Sequence, residues 1–174
     1  GYGGLMLHRR TWALPTAALA VMLLIFVSPL CALSSALFSA RTVHHVLLVA
    51  VAAPLLAWSV RIRLPGGLVV SLLAHAAVFW AWHAPAAYGW AMSNDLAYWL
   101  MQLSLLGSAV WFWSAVRAAA APAAVAALLV ATVQMGLLGA LLTFGGRALY
   151  QPHFATTLAW GLAPLQDQQA AGLI

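Results

Sequence analysis

A series of apolar runs, each close to 20 residues long and separated by short segments that hold nearly all the charge, constrains this chain more than any other feature. A helix of that length matches the hydrocarbon thickness of a bilayer. Lipid offers no hydrogen bonds, so the backbone of each run must satisfy its own N–H and C=O groups, which makes the runs α-helices. A soluble alternative fails on charge. Charged residues make up 5% of the chain and hydrophobic residues 66%, whereas soluble domains carry about a quarter charged residues. The expected fold is therefore all-α: a polytopic transmembrane helical bundle, forming one integral-membrane domain over residues 1–174.

Five runs are long enough to span, at about 12–38, 43–60, 68–82, 96–116 and 123–144. The first contains Pro15 and Pro29, with an irregular stretch expected from Ser28. The breaks fall at Arg61 to Gly67, at His83-Ala84-Pro85 with a turn at Ser93-Asn94-Asp95, at Arg117 with the alanine-rich 118–127 stretch, and at Gly145-Gly146-Arg147. Residues 148–166 read as a loop. Asp167 reads as the cap of a further helix, its carboxylate accepting first-turn N–H groups. That helix reaches Ile174 in mid-run, which reads as the start of a truncated sixth span.

Arginine placement orients the bundle. With the N-terminus cytoplasmic, that side holds Arg9, Arg10, Arg61, Arg63 and Arg117, against Arg41 and Arg147 opposite. The excess favours a cytoplasmic N-terminus. Arginines scattered singly between apolar runs form no basic face, so nucleic acid is not a partner. The lipid bilayer is.

Six histidines in a chain with two acidic residues invite a metal reading, since polar groups in membranes are costly enough to need a purpose. His44 and His45 open the second span, His83 ends the third and His153 lies in the tail. With Cys31 and Met92 at comparable depth, these donor types suit copper. The bland alternative is that interfacial histidines bond loops and headgroups, and that His75 bonds a neighbouring helix. His44 and His45 point to different sides of one helix. A haem held by His45 and His75 is disfavoured, because its support is the small neighbours Ala74, Ala76 and Ala77 in an alanine-rich chain. One cysteine allows no internal disulfide and no Cys-x-x-Cys pair. No nucleophile–base pair, paired carboxylates or phosphate loop is present, so the chain does not read as an enzyme. Most of the tryptophans read as interfacial belt, and Gly136 and Gly139 as points of close helix approach.

The tail carries the most specific pattern. Asp167-Gln168-Gln169-Ala170-Ala171-Gly172-Leu173-Ile174 resembles the DQQ-x-AG-L signature of the integral-membrane CtaG family of cytochrome c oxidase assembly factors. In the same order, His45 through Pro54-Leu55-Leu56, Trp82-His83-Ala84-Pro85 with Tyr88, Gln134-Met135-Gly136 and Tyr150 resemble further family segments. The resemblance implies a multi-pass protein of the bacterial inner membrane, with oxidase subunits as partners, that helps mature a haem–copper oxidase and aids copper delivery at the periplasmic face. It also exposes departures. Paired family histidines are replaced by Arg41, Tyr98 and Gln102, leaving His45 of the set, and arginine offers a metal no lone pair. On the resemblance, His45 and His83 would hold copper, with His44 and His153 as compensating ligands and Asp167 ordering the loop around Tyr150. The alternative is a resident accessory subunit of a respiratory complex that has lost metal binding.

Overall fold

The computed structural model describes residues 2–60 and 64–174, with side chains from residue 12 onward. Arg61 and Arg63, used above for orientation, lie outside the described residues, as do the side chains of Arg9 and Arg10. Every regular element described is helical.

Helix α1, Tyr2–Val27, ends at Ser28, whose hydroxyl caps α2, Pro29–Ala36, by accepting from Leu30 N at 3.1 Å. Proline at the first helical position needs no N–H partner, so the chain bends there by 49°. Helix α3, Phe38–Val46, continues through a π-helical stretch, Leu47–Ala52, into α4, Ala53–Val60. Helix α5, Gly67–His83, is followed by α6, Pro85–Ser93, at a 73° bend. Helix α7, Asp95–Ala118, and α8, Ala121–Phe144, precede two 3₁₀ turns at Gln151–His153 and Thr157–Trp160, and α9, Pro164–Gly172, closes the described chain.

Three segments are long and apolar enough to cross a membrane, Phe38–Val60, Asp95–Ala118 and Ala121–Phe144, or five if each bent pair counts as one span. Several boundaries differ from expectation. The second span begins at Phe38 rather than residue 43, because Leu37 stays extended and α3 starts at once after it. The connection within 118–127 shrinks to Ala119 and Ala120, since Pro122 sits near the start of α8, where its missing N–H costs nothing. The cap of α7 is Asn94, which accepts from Ala97 N at 3.0 Å, while Asp95 is already inside the helix.

Helix α7 runs through the middle of the bundle against α4, α5 and α6. Met101 and Leu105 of α7 pack with Ile25 and Leu48 in one core, and Phe112 and Val116 pack with Ala127 at its far end. A third core lies where residues 145–163 close the bundle, a face called here the tail face. It joins Phe38, Tyr88, Leu138, Leu142, Tyr150 and Ala171.

Candidate functional site

Pro54 explains the π-helical stretch. Its ring has no N–H and clashes with a carbonyl one turn back. The helix answers by widening, and Ala53 N–H bonds Leu48 O, five residues earlier. Such bulges recur at functional sites because they rotate one half of a helix against the other. The carbonyl of Val49 leaves the ladder and accepts instead from Trp113 Nε1 of α7 at 2.9 Å. The phase of His44 and His45 is thereby set against α7.

The start of the same helix is held from the far end of the chain. Asp167 is fully buried, and its carboxylate accepts from Phe38 N at 2.6 Å, from Ser39 N at 3.2 Å and from the Ser39 hydroxyl. It therefore caps α3, not its own helix. Helix α9 starts three residues earlier, at Pro164, where Gln166 accepts from Ala163 N at 2.9 Å. Asp167 reaches the loop around Tyr150 through Phe38, whose ring stacks on Tyr150, and Gln168 ties the loop directly, accepting from Leu149 N at 2.7 Å and donating to Arg147 O at 3.1 Å. Gln169, half-buried, offers its carbonyl to Thr143 Oγ1 at 3.5 Å. Gly172 crosses α8 so closely that a Cβ there would overlap Thr143 and meet Gly139 O at 2.5 Å.

The Trp82 to Tyr88 segment completes the face. Pro85 ends the ladder of α5, and the orphaned His83 carbonyl accepts from the Tyr150 hydroxyl at 2.9 Å. Trp82 turns inward to bond Ser104 Oγ at 2.8 Å, so it is a packing residue as well as an aromatic near the span end. Trp111 and Trp113 likewise bond protein carbonyls, whereas Trp90, Trp99 and Trp160 are exposed. Phe38 stacks on Tyr150 at 4.1 Å between ring centroids, and Tyr88 meets it edge-on.

Of the four candidate metal-ligating histidines, the structure sets His45 and His83 on one cavity, with the His44 ring 5.7 Å from the His45 ring between centroids but outside the cavity lining. The rings of His45 and His83 lie 6.1 Å apart between centroids, nearly perpendicular. His83 Nδ1 is 2.7 Å from Phe79 O. A carbonyl can only accept, so Nδ1 carries the proton and Nε2 keeps its lone pair. His45 Nε2 is buried without a hydrogen-bond partner. Both residues line a cavity of about 490 Å³ bounded by α3, the end of α5, α8 and α9.

His44 and His153 do not line that cavity. His44 stands edge-on to both Phe26 and His45 and faces Gln102 and the Ile25 backbone. His153 is 2.7 Å from the Tyr88 hydroxyl, and burial holds its pKa below the ordinary histidine value. Burial also pushes the Tyr150 hydroxyl up to about 12. His75 bonds Ser108 at 3.0 Å and stacks on Phe112, as a structural histidine between helices. Met92 is engaged by Arg41, whose Nη2 lies 3.5 Å from its sulfur. Among the described residues, no three histidine, cysteine or acidic side chains gather around one point.

Arg41 itself is 1% exposed. Its Nε donates to Ser34 O at 3.0 Å and its guanidinium lies over the Tyr98 ring at 5.3 Å. Two of the replaced family positions thus hold each other as a cation on an aromatic face. Gln102, the third, is buried with both amide atoms outside hydrogen-bonding geometry.

A family model described as cytochrome c oxidase caa3 assembly factor matches residues 62–174. No curated protein and no solved structure matches the chain.

Proposed function

This chain belongs to the cytochrome c oxidase caa3 assembly factor family, and we propose that it acts in oxidase assembly by passing copper through the His45–His83 pair. Its family implies a membrane assembly factor for cytochrome c oxidase, and on this reading the chain does no chemistry of its own. The observation that carries the copper reading is the pair: one imidazole nitrogen left free by the Phe79 carbonyl, another buried without a partner, both on one cavity. Imidazole is a good copper donor and, unlike carboxylate, a poor one for calcium or magnesium. Copper here is cargo. The histidine pair alone leaves the ion's coordination incomplete, which keeps it loose enough to be passed on to a partner subunit. On this reading the tail face is periplasmic, the N-terminus cytoplasmic and the membrane the bacterial inner membrane. Oxidase subunits are the partners.

The Arg41, Tyr98 and Gln102 set favours a second reading, a resident accessory subunit with no metal. A buried cation beside aromatic and amide groups stabilises packing and does nothing for a metal. The two readings part in one experiment. In cells where this chain is the sole assembly factor of its family, His45→Ala and His83→Ala are expected to lower the copper content of the assembled oxidase at least threefold at equal oxidase protein. Copper content equal to wild type in both variants contradicts the copper role.

A further inference from the structure

The cavity beside His45 and His83 is walled on its third side by α8, and helix geometry sets which α8 residue stands at the histidines' level. Phe38 and Leu142 pack in one cluster at the tail face. Helix α3 enters the bundle from there with rising numbers, and α8 with falling numbers. Seven residues inward along each helix, about 10 Å, are His45 and Met135. Seven residues is close to two whole turns, so His45 keeps the face of Phe38 and Met135 that of Leu142. All four side chains line the cavity. The Met135 thioether hangs on a flexible stem that adapts to irregular space.

The second observation is charge. Arg41 stands one turn before His45, and its direct partners are a carbonyl, a thioether, the Tyr88 hydroxyl and the Tyr98 ring, none of them an anion, while the buried Asp167 carboxylate shares its neighbours Tyr88 and His153. That charge acts on His45. No carboxylate or thiolate side chain lines the cavity. Arg41 does not itself line the cavity, but its charge lies one helical turn from His45, and the repulsion on an ion held there is twice as large for a divalent ion as for a monovalent one.

We infer that the cavity is a copper(I) site with His45, His83 and the Met135 thioether as donors, and that Arg41 selects a monovalent ion over divalent competitors. Two imidazoles and a thioether form a soft, neutral donor set of the kind copper(I) takes. The ion enters and leaves as copper(I), so no electron changes hands. The inference deepens the copper reading above and depends on it.

The test uses the full chain in mild detergent under anaerobic, reducing conditions, titrated with copper(I) against a chromogenic cuprous chelator and separately with zinc(II). X-ray absorption at the copper edge is expected to show a sulfur scatterer beside nitrogen. Met135→Leu is expected to remove the sulfur and weaken copper(I) binding at least tenfold. Met135 is 36% exposed, so a side chain of similar volume is accommodated. Arg41→Gln is expected to raise zinc(II) affinity relative to copper(I) at least tenfold, with Arg41→Lys retaining the wild-type preference. A nitrogen-only shell in the wild type, or unchanged copper(I) affinity in Met135→Leu, overturns the site. Those results leave the oxidase-copper experiment on His45 and His83 to stand or fall by itself.

Discussion

At the residue scale, the family signature in this chain is a set of fastenings. Asp167 serves two backbone N–H groups and a hydroxyl on a helix more than 120 residues away in sequence. Removing it leaves buried donors unsatisfied, which costs more than the bonds themselves were worth. Asp167→Ala is expected to lower stability in detergent by about 2 kcal/mol, read as a shift in thermal midpoint. Ser39→Ala, which removes one hydroxyl donor to Asp167 and no backbone partner, is expected to cost less than half of that. Equal losses would mean that the hydroxyl, not the helix cap, is what Asp167 serves. His153 gives a pH signature. Its folded pKa lies below its unfolded one, so below the unfolded value of about 6.5 the unfolded chain binds the proton first. Stability attributable to His153 is therefore present above that pH and lost as pH falls through the window toward the folded value. The slope cannot exceed about 1.4 kcal/mol per pH unit for one proton. Thermal midpoints of wild type and His153→Gln between pH 7.5 and 5 are expected to converge as the pH falls. Parallel curves would show that His153 does not titrate in this window.

At the element scale, the contact between α8 and α9 rests on two glycines. A Cβ on Gly139 would stand 2.6 Å from Gly172 O, and one on Gly172 would meet Gly139 and Thr143. Gly136 faces open space instead, so the expectation of close approach holds for Gly139 and fails for Gly136. Gly139→Ala is expected to destabilise the fold by about 1–3 kcal/mol through overpacking, with α9 displaced and the α3 cap weakened. Gly136→Ala is expected to be neutral or to stabilise by up to about 1 kcal/mol, since alanine is the better helix former. Thermal unfolding of the two variants in the same detergent separates them.

The same scale shows what was legible in the letters. The apolar runs and the proline breaks at Pro29 and Pro85 could be read from them, whereas His45 with His83 came from the family resemblance and not from spacing. Helix boundaries at Phe38 and Ala121 could not, because an apolar run does not announce where it starts when its neighbours are also apolar. The π-helical stretch had a signal in Pro54, but the widening is a tertiary choice, paid back by Trp113 on another helix. Asp167 looked like a local cap because capping is usually local. A cap supplied from the other end of the chain has no sequence periodicity to betray it. Met135 was visible as part of a motif, yet its level against His45 depends on α3 and α8 being antiparallel neighbours across one cavity.

At the scale of the whole molecule, much of the buried polar chemistry gathers at one end of the bundle, while His75 and Ser114 are buried further along it. The fastenings of Asp167, Gln168 and Tyr150 hold three helix ends and a loop together there, and the His45–His83 pair lies just beneath. That arrangement suits a protein that presents cargo to a membrane partner and then lets it go. A permanent subunit has a different signature: fixed stoichiometry and no need of a free imidazole. The most direct measurement is purification of this protein from its native membrane in mild detergent, with quantitation of co-purifying oxidase subunits and of copper for wild type and His45→Ala. The account predicts oxidase subunits well below one per chain, and copper that is present in the wild type and lost in His45→Ala. Oxidase subunits at one per chain, with copper no higher than the oxidase itself contains and unchanged in His45→Ala, would contradict it and identify a resident subunit.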